Sequence, residues 1–258
     1  LTYVGGEDTF FKGLKKLMPG RYLIWKNGEL QIARYWTPQF HPDETKSLDD
    51  WADEIHETVQ EIMPEVLATE ECADAFLSGG VDSSYVVAIS DVKMTDSCGY
   101  EEERFDESGL AKQTADLLHR ENRRCLITPE MYFDIVPYVM YEMEQPLADA
   151  SAIAFAIACR ETAKHTKICY SGEGSDEFFG GYNMYRNATR YGDNLKTFYV
   201  GNTNIMKEDE KKRILKHYDE KVLPINLVKD ICEEIEDLDP LAKMSDIDIQ
   251  IWLEGDIY

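Results

Sequence analysis

The chain has 258 residues, 43% hydrophobic and 30% charged, which suits one or two globular domains with a sizeable core. Asp and Glu outnumber Lys and Arg by 50 to 27, giving a formal net charge of −23; such a surface repels phosphate backbones and argues against a nucleic-acid partner. No run of about eighteen apolar residues occurs, so neither a membrane-spanning helix nor a membrane partner is expected.

In chain order, the first structural signal is Asn27-Gly28 between the apolar runs Leu23-Ile24-Trp25 and Leu30-Gln31-Ile32. This pair predicts a β-hairpin, with Arg34-Tyr35-Trp36 closing its second strand. Leu48, Trp51, Ile55, Val59 and Ile62 recur at helical spacing and predict a helix ending near Pro64, its apolar stripe facing a core. Short apolar runs predict strands near 73–77, 96–100, 123–128 and 167–171. Helical patterns fill the gaps near 83–90, 107–119, 130–142 and 151–165. This alternation implies an α/β fold, a parallel sheet with flanking helices and right-handed crossovers, preceded by the hairpin. Beyond Tyr182 the chain reads as helical and polar, with the mixed charges of Lys207 to Lys212 on a solvated helix face. Tyr182, Tyr185, Tyr191 and Tyr199 in that region read as packing residues, with reach to a nucleotide as the alternative.

Six cysteines, at 72, 98, 125, 159, 169 and 232, form no C-x-x-C pair and no zinc-like spacing with histidine. Cys98, Cys125 and Cys169 fall in strand-like segments, where a free thiol packs as a small hydrophobe. Free thiols argue for a reducing, cytoplasmic setting. Asn187-Ala188-Thr189 matches a glycosylation sequon, which in that setting is a chance match.

Two segments carry the chemistry. In Ala75-Phe76-Leu77-Ser78-Gly79-Gly80-Val81-Asp82-Ser83-Ser84 a strand runs into a Ser/Gly loop and then a helix. Glycines admit close approach of an anion, and backbone N–H groups at a helix N-terminus can cradle phosphate oxygens. Asp82 would repel a bare phosphate, so a divalent cation is expected between them. No G-x-x-x-x-G-K-[ST] loop is present. The second segment, Lys167-Ile168-Cys169-Tyr170-Ser171-Gly172-Glu173-Gly174-Ser175-Asp176-Glu177-Phe178-Phe179-Gly180-Gly181-Tyr182, repeats the form: strand, Gly-rich loop, acidic helix start. In an open α/β sheet both loops would leave the C-terminal ends of their strands, where ligands bind. For Glu177, complementing the helix macrodipole weighs as much as a role in chemistry.

The S-G-G-x-D-S loop resembles the pyrophosphate loop of the N-type ATP pyrophosphatases, and with S-G-E-G-S-D-E-F-F-G-G-Y the chain resembles the synthetase domain of glutamine-hydrolysing asparagine synthetases. β-Lactam synthetases are similar but carry tyrosine at the position of Glu173. The resemblance implies an adenine-nucleotide α-hydrolase-like fold and ATP and Mg2+ as cofactors. It implies Mg2+ ligands Asp82 and Asp176, and ATP contacts from Leu77, Ser78, Gly79, Gly80, Val81, Asp82, Ser83, Ser171 and Gly172. Glu173 is implied as the base toward ammonia, with Asp82 and Asp176 beside it as the catalytic set. Asp149, Ser151, Gly174, Ser175 and Tyr182 are implied as substrate contacts, although Asp149 and Ser151 read equally well as helix caps. L-aspartate, ammonia or glutamine, and ATP are the implied partners, and a homodimer is compatible with the family. Phe105-Asp106-Glu107-Ser108 and Glu144-Gln145-Pro146-Leu147-Ala148-Asp149-Ala150-Ser151 extend the likeness, Gln145 replacing an acidic residue common in the family. Residues 1–40 resemble the exit from a glutaminase domain, and 41–258 an ATP-dependent synthetase domain lacking its later part, so a fragment is expected. The alternatives are another amide-forming adenylating synthetase and a non-catalytic nucleotide-binding protein.

Overall fold

The computed structural model describes residues 2–66, 73–188, 199–201 and 206–257; Cys72, Thr189 and Tyr191 lie outside them. In chain order the elements begin with β1 (Arg21–Lys26), β2 (Glu29–Arg34), α1 (Leu48–Val66), β3 (Asp74–Phe76) and α2 (Val81–Ile89). There follow β4 (Met94–Tyr100), α3 (Ser108–Leu117), β5 (Glu121–Ile127), α4 (Pro129–Glu142), α5 (Ala150–Thr162) and β6 (Cys169–Tyr170). The last are α6 (Ser175–Phe179), α7 (Glu208–Ile214), α8 (Ile225–Glu234) and α9 (Pro240–Ile247), which continues as a π-helix over Asp248–Ile257. Among the described residues no helix is long and apolar enough to cross a membrane. The chain forms two compact units, a sheet unit of residues 41–139 and 150–173 and a helical unit of residues 1–40, 140–149 and 174–258.

The sheet unit holds four parallel strands in the order β5-β4-β3-β6. The chain moves outward from β3 through β4 to β5, then returns to place β6 on the other side of β3. This reversal makes a topological switch point between β3 and β6, the place where an open α/β sheet leaves a crevice at its strand ends. On one face Ala75, Leu77, Val87, Val92, Ala111 and Ala115 form a buried cluster joining β3, α2 and α3. Burying a side chain such as Leu77 or Val87 contributes about 1.5–3 kcal/mol. On the other face Phe76 meets Phe155 of α5 edge-on, with ring centroids 5.1 Å apart. Across the strands Arg123 lies 3.2 Å from both Asp74 and Asp96, two carboxylates that are almost wholly buried. Burial pushes Asp96 above the usual carboxylate range, and Arg123 opposes the shift.

One expectation about α1 needs correction. The helix runs through Pro64 to Val66. Pro64 has no N–H to offer the Gln60 carbonyl, so it removes one helical bond near the end of the described helix. The stripe does not face a core: no residue of α1 is buried, Leu48 is 85% and Ile62 49% exposed. Helical periodicity reports that one face is apolar; it does not report what covers that face.

In the helical unit β1 and β2 pair antiparallel from Arg21↔Arg34 to Lys26↔Glu29. Asn27 (φ 55°) and Gly28 (φ 84°) both adopt the left-handed region, as a two-residue type I′ turn demands. Val228, Met244, Ile247 and Ile251 are buried. Beside them Tyr185 and Tyr199 donate their hydroxyls to the buried Asp248. Burial against that carboxylate raises both phenols well above their usual range. Arg34 reaches from β2 to Glu234 at 2.9 Å and to Gln250 at 3.0 Å, and Gln250 in turn donates to Asp246 at 2.7 Å. Lys207 to Lys212 enters α7, which has no buried residue, in keeping with a solvated face.

Candidate functional site

The first Gly-rich loop begins where β3 ends. Leu77 is buried and extends the ladder, its N–H donating to the Asp96 carbonyl at 2.9 Å. The loop then folds on its own hydroxyls. Ser83 Oγ accepts from the Ser78 N–H at 3.2 Å and lies 3.0 Å from Ser78 Oγ, which accepts from the Gly80 N–H at 3.1 Å. Gly79 has φ +88°, and a Cβ there would stand 2.7 Å from Leu110 Cγ and 2.8 Å from the Ala111 nitrogen. Only glycine meets both constraints. Gly80 caps α2 with extended backbone and no side-chain cap. Ser84 is the first residue whose N–H closes onto a carbonyl, that of Gly80 at 3.1 Å. The N–H groups of Val81, Asp82 and Ser83 therefore have no helical acceptor and carry the positive end of the helix dipole. Asp82 stands exposed in that first turn.

The second loop leaves β6, the strand hydrogen-bonded beside β3, at the same end of the sheet. Gly172 brings the two loops together: a Cβ on it would lie 2.9 Å from the Asp82 carbonyl carbon and 2.9 Å from the Ser83 nitrogen. The backbone of the second loop thus abuts the opening turn of α2. Ser171 and Glu173 are exposed on either side of Gly172. The sheet unit accordingly gathers Leu77, Ser78, Gly79, Gly80, Val81, Asp82, Ser83, Ser171, Gly172 and Glu173. Ser151 also belongs to this unit, in the first turn of α5.

Asp149, Gly174, Ser175, Asp176 and Tyr182 belong to the helical unit. Gly174 (φ +87°) opens α6 and Gly180 (φ +68°) closes it. Asp176 is half-buried, and its carbonyl accepts from the Gly181 N–H at 3.0 Å. Glu177 is fully buried, so its carboxylate is no solvent-facing complement to a helix dipole. It accepts a hydrogen bond from the Tyr182 hydroxyl at 2.7 Å, while its carbonyl accepts from Ser245 Oγ at 2.5 Å. Tyr182 is half-buried; burial first, then the Glu177 carboxylate, push its phenol well above the usual range.

A loop of unbonded helix N–H groups with one carboxylate in it fits a polyphosphate carrying a divalent cation. Among the described residues no three His, Cys, Asp or Glu side chains gather as a metal site. Mg2+ asks only one or two carboxylates of a protein when substrate phosphates and waters complete its shell.

Sequence reasoning missed two features. One is Ser245, whose bond to Glu177 spans 68 positions and leaves no local signal. The other is a cavity of about 290 Å3 beside β4 and β5, lined by Cys98, Cys125, Arg123, Glu161, Thr162 and His165 among others. The register of β4 and β5 places Cys98 beside Cys125, a pairing that no local sequence pattern fixes. Burial pushes the Cys98 thiol up to about 12, so it behaves as the small hydrophobe expected.

Compared with known proteins, residues 54–258 match the family model described as Asparagine synthase. The chain is 30% identical to "Asparagine synthetase [glutamine-hydrolyzing] 1" of Bacillus subtilis (strain 168), over 99% of this chain and 46% of that protein. It is 25% identical to a "Putative asparagine synthetase [glutamine-hydrolyzing]" of Mycobacterium bovis, over 100% of this chain and 46% of that protein. It is also 31% identical to "Amidase chry2" of Gibberella zeae, over 70% of this chain and 30% of that protein. The chain therefore spans under half the length of the curated relatives it matches.

Proposed function

The chain belongs to the asparagine synthase family, and from that premise we propose that it carries the ATP-dependent, amide-forming part of an asparagine synthetase. The observation that carries this reading is the abutment of the two Gly-rich loops: Gly172 against Asp82 and Ser83, at the ends of neighbouring strands β3 and β6. ATP binds with its phosphates over the N–H groups of Val81, Asp82 and Ser83, using Leu77 to Gly80, Ser171 and Gly172 as the remaining contacts. Asp82 and Asp176 would hold Mg2+, which would neutralise the polyphosphate charge. The β-carboxylate of L-aspartate attacks the α-phosphorus, and pyrophosphate leaves. Ammonia then displaces AMP and gives asparagine, with Glu173 taking the proton that the attacking amine sheds. Asp149, Ser151, Gly174 and Ser175 orient the amino acid. Tyr182 acts through its own loop, since its hydroxyl already serves Glu177.

In the complete protein the ammonia comes from glutamine, residues 1–40 connect to the glutaminase part and residues 41–258 belong to the synthetase part. The proposed setting is the cytoplasm, and the proposed assembly is a homodimer. The likeness to a protein named an amidase supports a second reading, an amide-forming or amide-breaking enzyme acting on another acid; the likeness to proteins named asparagine synthetases over nearly the whole chain favours the first.

The test is aspartate-dependent release of pyrophosphate from Mg·ATP by the complete protein and by its Asp82→Asn variant. The expected result is release that needs aspartate and falls at least about a hundredfold in the variant, the scale of losing an electrostatic contact to developing charge. Undiminished release by Asp82→Asn would remove Asp82 from the site. Release that needs a different acid would favour the second reading.

A further inference from the structure

The segment that carries Asp176 is fastened by groups the proposed chemistry does not use. Glu177, its neighbour, is fully buried and tied twice, by Tyr182 to its carboxylate at 2.7 Å and by Ser245 to its carbonyl at 2.5 Å. Between those ties the chain reverses at Gly180 (φ +68°), and the Gly181 N–H returns to the Asp176 carbonyl at 3.0 Å. A Cβ on Gly181 would overlap Asp176 Oδ1, so the carboxylate fills the space a side chain would take. The other Glu177 oxygen, Oε2, is buried with no hydrogen-bond partner among the described residues. A carboxylate serving only to stabilise a helix start would sit in water, where it costs no desolvation.

We infer that Glu177, Gly181 and Tyr182 are positioning residues that aim the Asp176 carboxylate. The inference rests on the function proposed above, in which Asp176 holds the metal of Mg·ATP. Tyr182 holds Glu177, Glu177 fixes the peptide next to Asp176, and Gly181 leaves room for the carboxylate. Residues that orient a metal ligand change metal affinity by about ten- to a hundredfold when removed.

The experiment measures Mn2+ affinity in the presence of ATP by electron paramagnetic resonance, and AMP formation against Mg2+ concentration, on the complete protein. The variants are Tyr182→Phe, Gly181→Ala, Glu177→Ala and Glu177→Gln, with thermal melting alongside. Tyr185→Phe, which loses its bond to Asp248 in the same unit, serves as the purely structural comparator. The first three variants are expected to need about tenfold more metal or worse. Glu177→Gln keeps an acceptor for Tyr182 and should regain most of that loss. Tyr185→Phe should melt lower without changing the metal requirement. Parental metal affinity in the first three variants, or an equal shift in Tyr185→Phe, would overturn the inference. A parent protein that binds Mn2+·ATP but makes no AMP removes the proposed function, and the affinities alone then decide the inference; a parent that binds neither removes both.

Discussion

At the residue scale the site is decided by where side chains are forbidden. Gly79 is excluded from carrying a Cβ by α3, and Gly172 by the opening turn of α2. The second exclusion is the one that brings two loops into one place. Gly172→Ala sets a methyl group 2.9 Å from the backbone of Asp82 and Ser83, and backbone cannot rotate away as a side chain can. The expected cost is about 1–3 kcal/mol of stability and a drop in AMP formation of about tenfold or more, since small misplacements of reacting groups are expensive. Steady-state rates and a urea melt check both. Asp246 makes a separate prediction. It is 1% exposed and burial raises it to about 6, against a partly compensating bond from Gln250 and the charge of Arg34. Its unfolded value is about 3.9. Below that both states are protonated and the group is neutral toward folding. As pH rises from about 4 to 6 the unfolded state loses its proton first, so stability falls, and above about 6 the loss is constant at about 2–3 kcal/mol. Asp246→Asn, which still accepts from Gln250, is expected to melt higher than the parent at pH 8, with the gap closing below about pH 4. An equal gap at both pH values would mean that packing, not ionisation, sets it.

At the element scale α1 offers a direct test. Ile55 and Ile62 are 36% and 49% exposed, so Ile55→Gln and Ile62→Gln are expected to change the urea midpoint by no more than about 0.5 kcal/mol equivalents. Losses of about 2 kcal/mol each would show that the stripe is covered after all. The same helix marks where sequence reasoning stops. The hairpin was legible because Asn27-Gly28 answers a backbone demand, positive φ at both positions. The parallel sheet was legible because apolar runs alternate with helical ones, and the two loops were legible because each is a local motif. The shallow burial of the α1 stripe, with Trp51 and Val59 half-buried and Leu48, Ile55 and Ile62 exposed, was not, because burial depends on partners that periodicity does not name. Nor was Glu177's role, because Ser245 lies 68 positions away and only the folded chain brings it back. The adjacency of β3 and β6 likewise needed the topology, since α2, β4, α3, β5, α4 and α5 lie between them on the path outward and back.

At the scale of the whole molecule, a net charge of −23 works against any polyanionic ligand, and long-range attraction cannot recruit a nucleotide here. Binding must come from short-range groups: the N–H groups that open α2, glycines that admit close approach, and a cation to offset Asp82. The second motif is divided by the chain's own architecture, since Glu173 ends a segment of the sheet unit and Gly174 begins one of the helical unit. Asp82 and Glu173 of the proposed chemistry belong to the sheet unit, where Gly172 meets the opening turn of α2. The measurement that bears most directly on the proposed function is product identification. The complete protein, given Mg·ATP, L-aspartate and ammonium, is expected to yield AMP and asparagine in equal amounts by mass spectrometry. AMP or ADP without asparagine, or no aspartate-dependent AMP at all, would contradict it.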